Sequence, residues 1–197
     1  MLLYSGNIQQ HSIFDCYQFN DPINNDIINK IHEYIKFYPF ETAQVSNKRD
    51  YEPSVRKASI KWILENSNSL WLYNLLISYA HSANNNYYKF NIDTTVDHLQ
   101  YSEYYGDQKG VFNWHFDLSP TYPTRKLTLI LQLSPPDEYE GGELQLKKYN
   151  EEDGIYSIEK KLGKIIVFPS YLYHRVTPVT KGTRKSLVLW VGGAPFR

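Results

Sequence analysis

An imidazole and a carboxylate stand two residues apart in the stretch WHFD, as His115 and Asp117. On a β-strand, residues i and i+2 project from one face, so these two can ligate one metal ion together. His-x-Asp alone is a common pattern. A surface histidine beside a turn-starting Asp117, ahead of Leu118-Ser119-Pro120, is the competing reading. A third ligand would make the pair specific. Two histidines and one carboxylate on one face of an iron leave three positions open to a bidentate cosubstrate and dioxygen. His174, in FPSYLYHRVTPV, lies far along the chain between two strand candidates. His98, next to Asp97, is its competitor; His32 and His81 fall in or beside helices, and His11 sits in a polar stretch. Arg184 follows His174 by ten residues. A keto diacid such as 2-oxoglutarate chelates through its keto-acid end and leaves a second carboxylate a molecule's length away. A guanidinium fork pairs with that group in two parallel bonds. A strand starting near 184 puts Arg184, Ser186, Val188 and Trp190 on one face and Leu187, Leu189 and Val191 on the other. For a lone arginine after the turn Lys181-Gly182-Thr183, a surface position competes.

Residues this far apart need a fold that brings distant strands together. From about residue 90, short runs rich in β-branched and aromatic residues alternate with Gly, Pro, Asn and Asp. LTLILQL (127–133), GELQLKKY (142–149), KIIVFP (164–169) and KSLVLWVG (185–192) are strand candidates. Turns are expected at 135–142, 150–154 and Gly163. The first half is read as helical. Ile23, Ile27, Ile28, Ile31 and Ile35 keep a helical spacing over 21–37, with Asp21 as N-cap and Pro22 in the first turn. Leu72, Leu75, Leu76 and Tyr79 mark a second helix over 68–82. Segment 38–56 is polar and irregular, and a lid is one role for it. No linker divides the 197 residues. The expected architecture is mostly β with flanking helices: a sandwich, jelly roll or barrel, with a helical part about 1–90 packed on one sheet of a strand-rich core about 91–197.

Bulk composition sets bounds. Lys plus Arg equals Asp plus Glu, at 21 each, so no excess of positive charge points to nucleic acid or an anionic membrane. A single cysteine, Cys16, permits no intrachain disulfide and fits a reducing compartment. The opening MLLYSGNIQQ has neither a charged n-region nor an apolar core, so no secretory signal is expected there and a cytoplasmic location is. No run approaches the roughly 18 apolar residues of a membrane span. The 18 tyrosines are read mainly as packing residues.

Three stretches in order, WHFD, YEGGELQL (139–146) and FPSYLYHRVTPVTKGTR (168–184) running into LVLW (187–190), resemble the 2-oxoglutarate/Fe(II) oxygenases. The likeness is to the prolyl 4-hydroxylase-like branch, and within it the bacterial and phage hydroxylases of PKHD type. It covers roughly residues 97–197, with a less specific match at VRKASIKWI (55–63). The resemblance implies a double-stranded β-helix. It implies His115, Asp117 and His174 as iron ligands and Arg184 as partner of the distal cosubstrate carboxylate. It further implies Tyr105 as a lining residue of the cosubstrate pocket, Trp190 as its floor, and a tight bend at Gly141-Gly142; Ser186, on the same strand face as Arg184 and Trp190, is placed in that pocket with them. Implied cofactors are Fe(II), 2-oxoglutarate and dioxygen, with ascorbate as a further candidate. Two departures stand out. Some relatives carry a second tyrosine near Leu131, where this chain has Ile130-Leu131-Gln132, and collagen-type enzymes use lysine in place of Arg184.

The implied activity is hydroxylation of a substrate C–H, with a prolyl or other peptidyl residue as the leading target and a small molecule as the alternative. Trp114, Tyr171 and Tyr173 are candidate substrate contacts. A jelly-roll binding module, such as a lectin or virion component, and a zinc hydrolase remain open. Arg184 argues against a purely structural metal, which needs no cation beside an open coordination face.

Overall fold

Eight consecutive residues, Arg125–Gln132, are all buried. A strand buried on both faces must lie inside a sheet that is itself covered on both sides. A computed structural model, which describes residues 15–43, 55–147 and 154–194, shows how. In chain order the elements are β1 (Tyr17–Gln18), α1 (Asn25–Ile35), β2 (Glu41–Thr42), β3 (Arg56–Lys57), β4 (Ser59–Ile63), α2 (Leu70–Ala83) and β5 (Thr94–Thr95). There follow β6 (Leu99–Tyr105), β7 (Val111–His115), β8 (Arg125–Gln132), β9 (Tyr139–Gly141), β10 (Leu144–Lys147) and β11 (Ile155–Ser157). β12 (Ile165–Pro169), β13 (His174–Val176) and β14 (Val179–Gly192) complete the set. The larger sheet runs β1-β12-β8-β14-β6-β4-β2, with β5 and β9 also paired to β14; the smaller runs β11-β10-β13-β7-β3. The two face each other as a double-stranded β-helix, a jelly roll whose sheets keep open edges.

The period of two in β8 and β14 separates two cores. Leu127, Leu129 and Leu131, with Leu187, Leu189 and Val191, point away from the smaller sheet and meet Ile28, Ile31 and Ile35 of α1 and Leu72, Leu76 and Ala80 of α2. Ile130, Val188 and Trp190 point the other way and meet Leu144, Leu146, Ile166 and Phe168 between the sheets. Each fully buried Leu or Ile contributes about 1.5–3 kcal/mol. Leu129→Ala would therefore loosen the helix layer by about 2–5 kcal/mol. Tyr73 of α2 ties the layers together: its hydroxyl donates to the Ile63 carbonyl at 2.7 Å and accepts from the Leu99 N–H at 3.0 Å.

The sequence expectations hold for both helices and all four strand candidates, with shifts that have physical causes. The first helix starts later than 21. Its N-cap is Asn24, whose side-chain oxygen accepts the Ile27 N–H at 3.0 Å, rather than Asp21. The first half is not only helical. VRKASIKWI forms two strands, and Ala58 passes the chain from the smaller sheet (β3) to the larger (β4). Glycines at 141 and 142, with φ of 69° and 61°, make the reverse passage from β9 to β10. Most of the turn expected at 150–154, and much of the irregular segment 38–56, lie outside the described residues.

Candidate metal centre

His115 and His174 are cross-strand partners in β7 and β13, their rings 4.1 Å apart. Each ring lies against a backbone carbonyl through Nδ1, His115 to Asn113 at 2.7 Å and His174 to Leu172 at 2.9 Å. A carbonyl only accepts, so Nδ1 carries the proton and Nε2 keeps its lone pair free. Both Nε2 atoms converge on the carboxylate of Asp117, at 3.7 Å from His115 and 3.6 Å from His174. One ligand atom from each residue falls within 4.8 Å of the others, a spacing that fits one ion between them.

Asp117 does not reach this place along a strand, because β7 ends at His115. Its position is fixed from behind. The N–H groups of Asp117 and Leu118 both donate to the Ser170 carbonyl, at 2.9 and 2.8 Å. Arg125 donates to the Asp117 carbonyl at 3.3 Å while paired with Asp97 at 2.7 Å. Thr128 of β8 donates to Oδ2 at 2.7 Å, with the Ser170 hydroxyl behind it at 3.1 Å. Burial opposes the charge on Asp117, yet His174, His115, Arg125 and the Thr128 hydrogen bond outweigh it and hold the carboxyl at about 2. Burial, with His174 alongside, pushes His115 down to about 3. A neutral imidazole and an ionised carboxylate are the ligating forms.

A β-bulge shapes the floor beside His115. β13 advances two residues, from His174 to Val176, while β7 moves three, from His115 to Phe112. The extra residue in β7 leaves both Phe112 and His115 on the cavity side, stacked at 3.5 Å. The cavity holds about 380 Å³, part of it open to solvent. Across from the triad, Arg184, Ser186, Val188 and Trp190 of β14 line it, as strand alternation predicts. Arg184 is 2% exposed and donates through Nη1 to Ser186 Oγ at 3.1 Å. Among the described residues the buried Trp190 indole N–H has no partner, nor do Nε and Nη2 of Arg56, a second arginine in the same wall.

Other expected residues stand elsewhere. Tyr105 faces away from the cavity: its hydroxyl donates to Glu103, and burial with that bond pushes it up to about 12. Tyr104, one residue earlier and paired across from Arg184, lines the cavity instead. Trp114 and Tyr173 stack at 5.2 Å, with Arg175 over the Trp114 ring, and neither they nor Tyr171 line the cavity. His98 is exposed and outside the triad. Arg56, Tyr104, Arg125 and Thr128 were not foreseen from sequence. Only Thr128 carried a signal, its parity with Ile130 on the inner face of β8.

A His-Asp-His triad opening on a cavity with a buried arginine coincides with a family match: residues 99–192 fit the model of the 2OG-Fe(II) oxygenase superfamily. Its members use Fe(II), 2-oxoglutarate and dioxygen, and the donor set here suits them. Among relatives by sequence are PKHD-type hydroxylases. One, of Idiomarina loihiensis, is 37% identical over 98 residues, which is 49% of this chain and 40% of that one. Another, of Cupriavidus pinatubonensis, is 38% identical over 65 residues, 33% of this chain and 27% of that one. The matched stretch thus spans well under half of those relatives' length. In structure the oxygenase fold is similar to a Pseudomonas putida prolyl-4-hydroxylase, with TM-score 0.72 and 18% identity over 90% of this chain and 92% of that one. It is similar also to a Trichoplax adhaerens prolyl hydroxylase in complex with a peptide fragment of the hypoxia inducible factor oxygen degradation domain. There the TM-score is 0.73 and the identity 19%, over 91% of this chain and 84% of that one. No helix among the described residues is long and apolar enough to cross a membrane.

Proposed function

We propose that the chain is a non-haem Fe(II) dioxygenase that couples oxidative decarboxylation of 2-oxoglutarate to hydroxylation of a substrate C–H, with a prolyl or other peptidyl residue as target. Substrate, 2-oxoglutarate and O2 give the alcohol, succinate and CO2, one oxygen atom going to each of the first two products. The observation that carries this reading is the convergence of two free Nε2 lone pairs and the Asp117 carboxylate in one cavity with the buried Arg184 fork. His115, Asp117 and His174 would hold the iron, whose open positions supply dioxygen activation when it is bound. Arg184 has a hydroxyl partner but no anion among the described residues, which suits it to the distal carboxylate of 2-oxoglutarate, with Ser186 setting its direction. Trp190 forms the floor, and Tyr104 takes the wall position that the resemblance assigned to Tyr105. The inter-sheet core of Ile130, Leu144 and Val188 lines the rest and limits water.

The peptide target is supported by the PKHD-type and prolyl hydroxylase likenesses, and by the peptide in the Trichoplax complex. Residues 1–197 would act as one oxygenase domain, since β4 of the first half is hydrogen-bonded to β6 of the second. The test is anaerobic addition of Fe(II) and 2-oxoglutarate, followed by visible absorbance. Keto-acid chelation to an open iron site gives a weak band near roughly 500 nm, absent in His174→Ala. Bound metal without a band would overturn the proposal.

A further inference from the structure

One feature of the cavity is unused by this assignment. Arg56, on the edge strand β3, is 6% exposed, and its Nε and Nη2 have no hydrogen-bond partner among the described residues. No ion pair to it occurs among the described residues. Its guanidinium lies 4.5 Å over the Phe112 ring, and Phe112 is stacked on His115. It is therefore one ring away from a metal ligand. Arg56 and Phe112 are also cross-strand partners, which fixes the guanidinium over that ring.

The two unpartnered groups are not scattered. Nε–H and Nη2–H form one edge of the guanidinium and point in parallel, the arrangement that meets both oxygens of a carboxylate. A buried cation left unpaired is costly, and an anion relieves that cost more fully than a neutral carbonyl does. Charge counting says whose anion it is. With a divalent metal, the Asp117 carboxylate, Arg184 and the two carboxylates of 2-oxoglutarate in place, the cavity is neutral. Arg56 adds one uncompensated positive charge. The cosubstrate has no third carboxylate to give.

We infer that Arg56 is a substrate-binding residue that takes a carboxylate of the primary substrate in the cavity beside Phe112. The inference rests on the oxygenase reading and narrows it. The substrate is an acid, either a small carboxylic acid such as an amino acid or its N-acyl derivative, or a peptide that presents a C-terminal or side-chain carboxylate near the hydroxylated carbon.

The test follows arginine Nε–H signals by nuclear magnetic resonance. The full chain is loaded with diamagnetic Zn(II) and saturated with 2-oxoglutarate, and the signals are assigned by their loss in Arg56→Lys and Arg184→Lys. Arg56→Gln serves if the lysine variant does not fold. The probes are acetate and its neutral isostere acetamide. Arg184 should respond to 2-oxoglutarate and then stay still. Arg56 should be silent to 2-oxoglutarate and shift saturably with acetate, at a dissociation constant on the order of 1–10 mM for so small a ligand, and at least tenfold less readily with acetamide. An Arg56 signal unmoved by acetate overturns the inference. So does one moved by 2-oxoglutarate alone, which assigns Arg56 to the cosubstrate. An Arg184 signal indifferent to 2-oxoglutarate would count against the oxygenase reading instead, while acetate still reports on the Arg56 edge. Free N-acetylproline and its amide, compared in the same way, separate a small acid from a peptide with a distant carboxylate: a response to the acid alone supports the former.

Discussion

Thr128→Val should weaken metal binding by roughly 10- to 100-fold while leaving all three ligands in place. Thr128 is fully buried at the centre of β8, with Cα atoms opposite Phe168 on one side and Trp190 on the other. Valine keeps its shape and removes one hydroxyl. That hydroxyl donates to Asp117 Oδ2 at 2.7 Å. A hydrogen bond to a charged group contributes about 1.5–3 kcal/mol. Without it the carboxylate can turn toward water in the metal-free protein and must be reordered when metal binds, so up to that amount is withheld from binding. At 1.4 kcal/mol per factor of ten, the loss is roughly 10- to 100-fold, the range typical of groups that orient metal ligands. Thr128→Ser keeps the donor and should stay within a few-fold of the parent. Anaerobic Fe(II) titration measures both. Unchanged affinity in the valine variant, or equal losses in both, would refute the argument that this hydroxyl orients Asp117.

Arg184→Met should raise the dissociation constant of 2-oxoglutarate by roughly 100- to 3,000-fold, since an unpaired buried charge costs about 3–5 kcal/mol; Arg184→Lys should fall between, as read by the visible band. Gly142→Ala forces a Cβ to within 3.0 Å of Arg184 Cδ at φ +61° and should cost about 1–3 kcal/mol of stability in urea unfolding, with weaker 2-oxoglutarate binding alongside. Metal at a hundred times its dissociation constant should stabilise the fold by about 2.7 kcal/mol and raise the melting temperature by roughly 5–10 °C. The gain should vanish with chelator or in His174→Ala; calorimetry without any shift would deny the site its metal.

The parts of this site that could be read from sequence are those governed by a period. In β14 the alternation of Arg184, Ser186, Val188 and Trp190 with Leu187, Leu189 and Val191 needs no partner strand to be seen, because one side is uniformly apolar. The two helices show in the spacing of Ile28, Ile31 and Ile35 and of Leu72 and Leu76. Tyr105 marks the limit. A count of ten residues back from His115 cannot tell a residue from its neighbour, and on a strand one step reverses the face, so Tyr104 holds the wall. His115 and Asp117 are a second case. The two side chains do come together with His174, but not by sharing a strand face, because the strand stops at His115 and the backbone of Ser170 with Arg125 brings Asp117 in.

The bulge in β7 shows why the remaining residues could not be read locally. With an unbroken period of two, Phe112 and His115 would face opposite sides, and Arg56, partnered with Phe112, would lie outside the jelly roll. One extra residue turns Phe112 inward, and with it comes the guanidinium that rides on its ring. Nothing in VFNWH announces that residue, since a bulge is a property of the pairing with β13. The same defect that stacks Phe112 on His115 therefore carries a buried cation into a cavity that already holds Arg184. A chain that needed only iron and cosubstrate would gain nothing from it. The burial of Arg56 Nε and Nη2 with no hydrogen-bond partner among the described residues thus fits a bulge that serves a negatively charged substrate rather than packing.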